Sequence, residues 1–105
     1  MAYDRLVTKL TKENLWLYIL RMLSERSMYA YEISKNLKNR FHFSVATVTT
    51  YVILYRMQFE GLIRVKTEKI DPRRADRKYY EPTEKGLETL GKGKSFLQEV
   101  LTRLQ

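Results

Sequence analysis

The sequence predicts a mostly α-helical chain with a small β-hairpin and a long C-terminal helix. Three segments before Gly61 carry apolar residues at helical spacing. Two short β-prone runs follow, and leucines of the final segment recur seven residues apart. Helices, hairpin and final helix occur in this order in a winged helix-turn-helix domain. We therefore expect such a domain at residues 1–86 and a C-terminal dimerisation helix at residues 87–105.

The first two predicted helices form the scaffold of this domain. The first runs from Thr11 to Glu25, with Thr11 as its N-cap, and a turn follows from Ser24 to Met28. The second runs from Tyr29 to Asn39, buries Ile33 and Leu37, and turns its basic residues outward. The apolar stripe of the first helix consists of Leu15, Trp16, Ile19, Leu20 and Leu23.

The third predicted helix lies between Ser44 and Gly61, and the glycine ends it. Tyr51, Leu54 and Met57 recur every three residues, so we expect them to face the core. The first turns of this helix carry short hydroxyl side chains, which can approach a nucleic acid backbone closely. The pattern predicts a DNA-recognition helix.

The segments after Gly61 predict a β-hairpin and a last helix. Residues 62–67 alternate apolar and basic side chains, and residues 78–81 are rich in tyrosine. Between them, residues 70–77 contain Asp71-Pro72 and three arginines, which predicts a basic hairpin tip. Pro82, Thr83 and Glu84 then supply a strand end, an N-cap and an acidic first-turn residue.

The charge of the chain indicates a polyanionic partner. The formal net charge is +8 and the isoelectric point is about 9.8. No acidic residue lies between Ile33 and Phe59, a window that contains several cations. Basic residues alternate with aromatic residues and threonines, which favours double-stranded DNA over a membrane. A merely solvated basic surface is the alternative.

The composition excludes several kinds of site. The chain has no cysteine and one histidine, so we expect no disulfide, no thiol nucleophile, no metal site and no cofactor. The sequence contains no Ser/His/Asp set and no phosphate-binding loop, so we do not expect an enzyme. The longest apolar stretch, Leu15 to Leu20, is too short to span a bilayer and no apolar leader is evident. We expect a cytoplasmic protein.

The candidate DNA contacts lie on three elements. Thr47, Thr49 and Thr50 are expected to bind phosphates or base edges, and Val48 a thymine methyl group, with ordinary helix capping as the alternative. Arg56 is expected to bind a phosphate or to pair with Glu60. Arginines at the hairpin tip are expected at the minor groove or backbone. The full set is Lys35, Lys38, Arg40, Ser44, Thr47, Val48, Thr49, Thr50, Arg56, Arg73, Arg74, Arg77 and Lys78.

The last helix carries an apolar seam that has no predicted partner within the chain. An uncovered amphipathic helix would leave an apolar patch in water, so we expect a second copy of the chain to cover it. The expected homodimer interface consists of Leu87, Leu90, Phe96, Leu97, Val100, Leu101 and Leu104.

Two groups of residues resemble the PadR family of transcriptional regulators. The resemblance spans roughly residues 15 to 90, and the segments EGLI and KYYEPTEKG at their observed separation carry most of it. The matching residues are Ile19, Leu20 and Leu23, Tyr31-Glu32-Ile33, Thr49-Thr50-Tyr51, Met57, Glu60-Gly61-Leu62-Ile63, Lys78-Tyr79-Tyr80 and Pro82-Thr83-Glu84-Lys85-Gly86.

The resemblance implies a homodimeric, repressor-like DNA-binding protein with a winged helix. It implies that the last helix is the dimer arm, and the chain looks like the short type of the family. Many members are inactivated by a small aromatic or hydrophobic effector, held in short members near the dimer interface. Trp16 and Phe96 are candidates to line such an effector pocket between protomers, with plain interface packing as the alternative.

Three functions remain open at this level. The first is a sequence-specific transcriptional regulator that binds a pseudopalindromic site as a dimer. The second is an architectural protein that coats duplex DNA through its phosphates. The third is a winged-helix module that binds another protein.

Overall fold

The computed structural model describes residues 1–68 and 77–105, which form five α-helices and three β-strands. A short 3-10 helix, Lys12–Asn14, connects the first two α-helices. In chain order the elements are α1 (Ala2–Leu10), α2 (Leu15–Glu25), β1 (Met28–Tyr29), α3 (Ala30–Phe41), α4 (Thr47–Phe59), β2 (Ile63–Glu68), β3 (Arg77–Pro82) and α5 (Glu84–Arg103). This order confirms the predicted winged helix and the long last helix.

The N-terminal part differs from the prediction. A separate helix, α1, precedes α2, and Thr11 lies between them. The Thr11 hydroxyl donates to the Val7 carbonyl at 2.6 Å, so it closes α1 and does not cap α2. The predicted start of the first scaffold helix at Thr11 is therefore wrong, since α2 begins at Leu15.

The core lies between α2, α3, α4 and the sheet. Helix α4 contributes Thr50, Leu54 and Met57, all fully or almost fully buried. Tyr51 is 53% exposed, so its predicted core position is wrong. The inward stripe starts one residue earlier, at the smaller Thr50. The remaining core residues are Leu15, Ile19, Leu20, Met22, Leu23, Met28, Ala30, Ile33, Leu37, Leu62, Ile63, Tyr80 and Leu90.

The sheet is antiparallel with the strand order β1-β3-β2. Strands β2 and β3 pair from Ile63 opposite Pro82 to Glu68 opposite Arg77, which confirms the predicted wing. Met28 of β1 lies opposite Tyr80, where the sequence predicted only a turn. The predicted basic tip falls largely on residues 69–76, which lie outside the described residues.

The start of α5 packs tightly against the end of α4. Gly61 follows α4 with a left-handed backbone, φ +76, and the Thr83 hydroxyl donates to the Gly61 carbonyl at 2.6 Å. The same hydroxyl accepts from the Gly86 amide at 3.0 Å, which confirms Thr83 as the N-cap of α5. The Lys85 ammonium donates to the Glu60 carbonyl at 2.8 Å. We call these contacts the α4–α5 junction.

Helix α5 runs without interruption across the predicted domain boundary at residues 86 and 87. Leu90 packs into the core and is 8% exposed, so its assignment to the dimer interface is wrong. Leu97 and Val100 are half-buried, whereas Leu87, Phe96, Leu101 and Leu104 are exposed. Within the described ranges, none of the helices is long and apolar enough to span a membrane.

The junction predicts a strong effect of Gly86→Ala. A Cβ at this position would lie 2.0 Å from the Leu62 carbonyl oxygen, so the backbone at Leu62 or in α5 must move. We expect the substitution to lower the free energy of unfolding by about 1–3 kcal/mol, measured by urea denaturation.

Gly91→Ala is the matched control, because a Cβ there meets nothing within 4 Å. We expect it to stabilise the helix by about 0.5–1 kcal/mol. Equal unfolding midpoints for Gly86→Ala and the unsubstituted chain would show that the close approach at Gly86 does not constrain the fold.

Candidate nucleic-acid interface

Helices α3 and α4 form the helix-turn-helix unit, and an aromatic cluster fixes the turn between them. His42 ends α3 in a left-handed conformation, φ 64. The Tyr18 ring contacts the rings of Phe41 and Phe43 edge-on, with centroids 5.1 and 4.9 Å away. Burial raises the pKa of Tyr18, and its hydroxyl donates to the Leu10 carbonyl at 2.6 Å. The turn is thus attached to α2 through Tyr18.

Thr50 fixes α4 against α3. Its side chain is 0% exposed, and its hydroxyl lies 2.7 Å from the Ser34 hydroxyl and 3.2 Å from the Ala46 carbonyl. The predicted DNA contact at Thr50 is therefore wrong, because the hydroxyl is used inside the protein. Thr47, Val48 and Thr49 are exposed in the same turns.

The N-terminal end of α4 opens onto a basic hollow. The hollow has a volume of about 520 Å³, and its lining includes Lys35, Lys38, Ser44 and Thr47. The N-cap residue is Ala46, and among the described residues no side chain caps the helix. Ala46 and Thr47 at the start of the helix line this hollow, so the positive end of the helix dipole faces it. The first turn carries no acidic residue that would offset this positive charge. The structure brings together four of the predicted DNA contacts here.

Arg40 is engaged within the protein. Its guanidinium donates two hydrogen bonds to the Glu25 carboxylate, at 2.7 and 2.9 Å, and these bonds lower the pKa of Glu25. Arg21 also pairs with Glu25 at 3.0 Å. Arg40 therefore ties α3 to α2, and an acid outside the predicted acid-free window offsets its charge.

Arg56 lies on the side of α4 that faces α5. It lines a hollow of about 530 Å³ together with Trp16, Glu60 and Lys85. This places Arg56 away from the basic hollow at the start of α4.

The described part of the wing carries two of the predicted cations. The Arg77 guanidinium lies over the Tyr29 ring, 4.6 Å from its centroid, and Lys78 is exposed beside it in β3. Lys78 and Tyr80 line a further hollow with residues of α4, and burial raises the pKa of Tyr80. Arg73 and Arg74 lie outside the described residues.

Most of the outward face of α4 was not predictable from the sequence. Val52, Tyr55 and Phe59 follow Val48 at intervals of four, three and four residues, and all four side chains are exposed. Their spacing is helical, but the inward stripe of α4 is apolar at the same spacing. Periodicity alone could not tell which of the two stripes is buried.

Trp16 and Phe96 lie together within one chain, and the predicted effector pocket between protomers stays a prediction. They line an apolar hollow of about 180 Å³ between α2 and α5, with Leu10, Asn14, Leu17, Gly93 and Leu97. The Trp16 indole donates to the Asn14 side chain at 3.1 Å, which orients the ring. A Cβ at Gly93 would lie 2.9 Å from Leu17, so the helices approach closely there.

Comparison with known proteins shows the family of the chain. Residues 19–92 match the Transcriptional regulator PadR-like family. A PadR-like transcriptional regulator of Bacillus cereus is 36% identical, with a TM-score of 0.75 over 91% of this chain and 92% of that one. A PadR-like transcription factor of Bacteroides fragilis is 26% identical, with a TM-score of 0.80 over 96% of both chains. No protein of curated function matches.

Bacillus subtilis PadR, solved in complex with operator DNA, is 25% identical, with a TM-score of 0.66. The match covers 74% of this chain and 46% of that one. The family match and the structural similarity agree with the winged-helix fold and the long last helix described above. The chain belongs to the PadR-like family of transcriptional regulators.

Proposed function

We propose that the chain is a cytoplasmic, DNA-binding repressor that acts as a homodimer on a pseudopalindromic site. Helix α4 enters the major groove, and the wing contacts the flanking backbone. The observation that carries this proposal is the uncapped start of α4 beside the hollow lined by Lys35 and Lys38. The operator complex of B. subtilis PadR supports a DNA partner, and the family resemblance favours repression.

The electrostatics of this surface fit a phosphate backbone. Lys35, Lys38 and the amides at the start of α4 converge on one hollow, and residues 33–59 contain no acid. The Ser44 and Thr47 hydroxyls on the same hollow are able to donate to phosphate oxygens.

The exposed apolar face of helix α1 is an argument for the dimer. In the described structure it buries none of its own residues, and Tyr3, Leu6, Val7 and Leu10 are exposed on one face. A helix of this length is only marginally stable in isolation, since roughly 12–15 residues are needed even for favourable sequences. A second protomer that covers this face and the exposed residues of α5 would stabilise both helices.

The proposed dimer also affects whether an effector could bind. The hollow beside Trp16 and Phe96 is about 180 Å³, whereas ligand pockets usually measure about 300–1,000 Å³. We infer that a small aromatic effector would bind there only if the partner protomer completes the pocket. Plain interface packing of Trp16 and Phe96 is the other outcome.

Selection of bound duplexes from a random pool by the full-length chain tests the function. We expect one enriched palindrome with half-sites about one helical turn apart, bound at least about a thousandfold more tightly than random duplex. Tight binding without enrichment would instead indicate an architectural protein. Weak, indifferent binding would indicate a protein-interaction module.

The basic hollow is tested by Lys35→Ala and Lys38→Ala. We expect each substitution to weaken binding to all duplexes and to reduce the slope of log affinity against log salt by about 1, measured by fluorescence anisotropy. Lys92→Ala removes an exposed lysine of α5 and serves as the control. If all three variants keep the slope of the unsubstituted chain, the hollow does not contact phosphates.

The dimer is tested by Leu101→Glu. Leu101 is exposed in the isolated chain, so the substitution leaves the core intact while it places a charge in the proposed interface. We expect monomers in sedimentation equilibrium and at least about a tenfold loss of DNA affinity. Ser95→Glu adds the same charge on another face of α5 and should remain dimeric. A dimeric Leu101→Glu variant would contradict the proposed interface.

A further inference from the structure

The outward face of α4 is an apolar ridge. Val48, Val52, Tyr55 and Phe59 define it, with exposed fractions of 76%, 54%, 73% and 85%. Their spacing places them on the side of the helix opposite the buried Thr50, Leu54 and Met57. Of the threonines predicted to contact DNA, Thr47 and Thr49 lie on the flanks of this ridge and Thr50 lies in the core.

The core cannot account for the ridge. The opposite stripe of α4 already fills the space against α2, α3 and β2, and the four ridge side chains remain largely exposed. Four exposed apolar side chains on adjacent turns form a continuous patch, and such patches usually mark a binding surface. The ridge therefore needs an occupant.

The charges around the ridge favour nucleic acid as that occupant. Its N-terminal end adjoins the hollow lined by Lys35 and Lys38, and the start of α4 is uncapped. Along one flank, Lys78 lines a hollow of about 400 Å³ with Val52 and Tyr55. An apolar strip bordered by cations fits the major groove, whose walls carry phosphates and whose floor carries the methyl groups of thymine.

We propose that Val48, Val52 and Tyr55 recognise thymine methyl groups and thereby determine the sequence preference of each half-site. This proposal rests on the proposed DNA-binding function and names the residues that give it specificity. Val48 and Tyr55 are seven residues apart, about 10 Å along the helix axis, which corresponds to about three base pairs. Phe59 lies one turn further from the start of the helix and falls outside this span.

The test replaces thymine by uracil in the duplex that the full-length chain enriches from a random pool. Each replacement removes one methyl group and leaves the Watson–Crick pairing unchanged. We expect the unsubstituted chain to lose about fourfold in affinity for each contacted methyl group. Val48→Ala and Val52→Ala should each abolish the loss at one position, because the variant no longer packs against that methyl group.

Thr49→Ala is the matched control on the same turn. It should bind the thymine and uracil duplexes in the same ratio as the unsubstituted chain, whatever its absolute affinity. All substituted side chains are exposed, and circular dichroism verifies that the variants fold.

Two results would overturn the inference while leaving the proposed function intact. One is equal affinity of the unsubstituted chain for thymine and uracil duplexes. The other is an undiminished uracil penalty in both valine variants, which would assign the methyl contacts to other residues. Failure to enrich any duplex would instead overturn the proposed function, and this inference with it. If the ridge instead binds a protein partner, both valine variants will keep the DNA affinity of the unsubstituted chain.

Discussion

The arrangement of α4 and α5 depends on the hydroxyl of Thr83. This one group donates to the Gly61 carbonyl and accepts from the Gly86 amide, so it joins the end of α4 to the start of α5. The backbone reinforces the contact, since the Thr83 amide donates to the Leu62 carbonyl at 3.0 Å. Only glycine at position 86 permits this approach. The junction therefore sets the angle between α4, which is proposed to recognise DNA, and α5, which is proposed to form the dimer.

The other end of α4 is fixed by a second, buried polar contact. The Thr50 and Ser34 hydroxyls bind each other where α3 crosses α4, so the helix is held near its start and at its end. A helix fixed at both ends has one outward face and no freedom to rotate another face outward. In the proposed complex, the residues presented to DNA are thus decided by contacts inside the protein, and a change at Thr50 or Gly86 would alter recognition without touching DNA.

The sequence predicted those elements whose signals are local. The Thr83 cap, the hairpin and the inward stripe of α3 follow from neighbouring residues, and the structure confirms them. Contacts between distant residues were not predictable in this way. Arg40 meets Glu25 fifteen residues away, and Thr50 meets Ser34 sixteen residues away, so the position of each side chain depends on how the helices pack. Helix α4 is apolar on two faces, and only its packing identifies the exposed one.

The same packing separates affinity from specificity in the proposed complex. Lys35 and Lys38 act on phosphates, which every duplex carries, so they contribute equally to specific and random binding. The apolar ridge is uncharged, and its contacts depend on which bases line the groove. Salt therefore weakens the first contribution and leaves the second nearly unchanged. The residues that bind phosphates lie on α3, and the residues that distinguish bases lie on α4. Such a surface therefore keeps its preference among DNA sequences even when its total affinity falls.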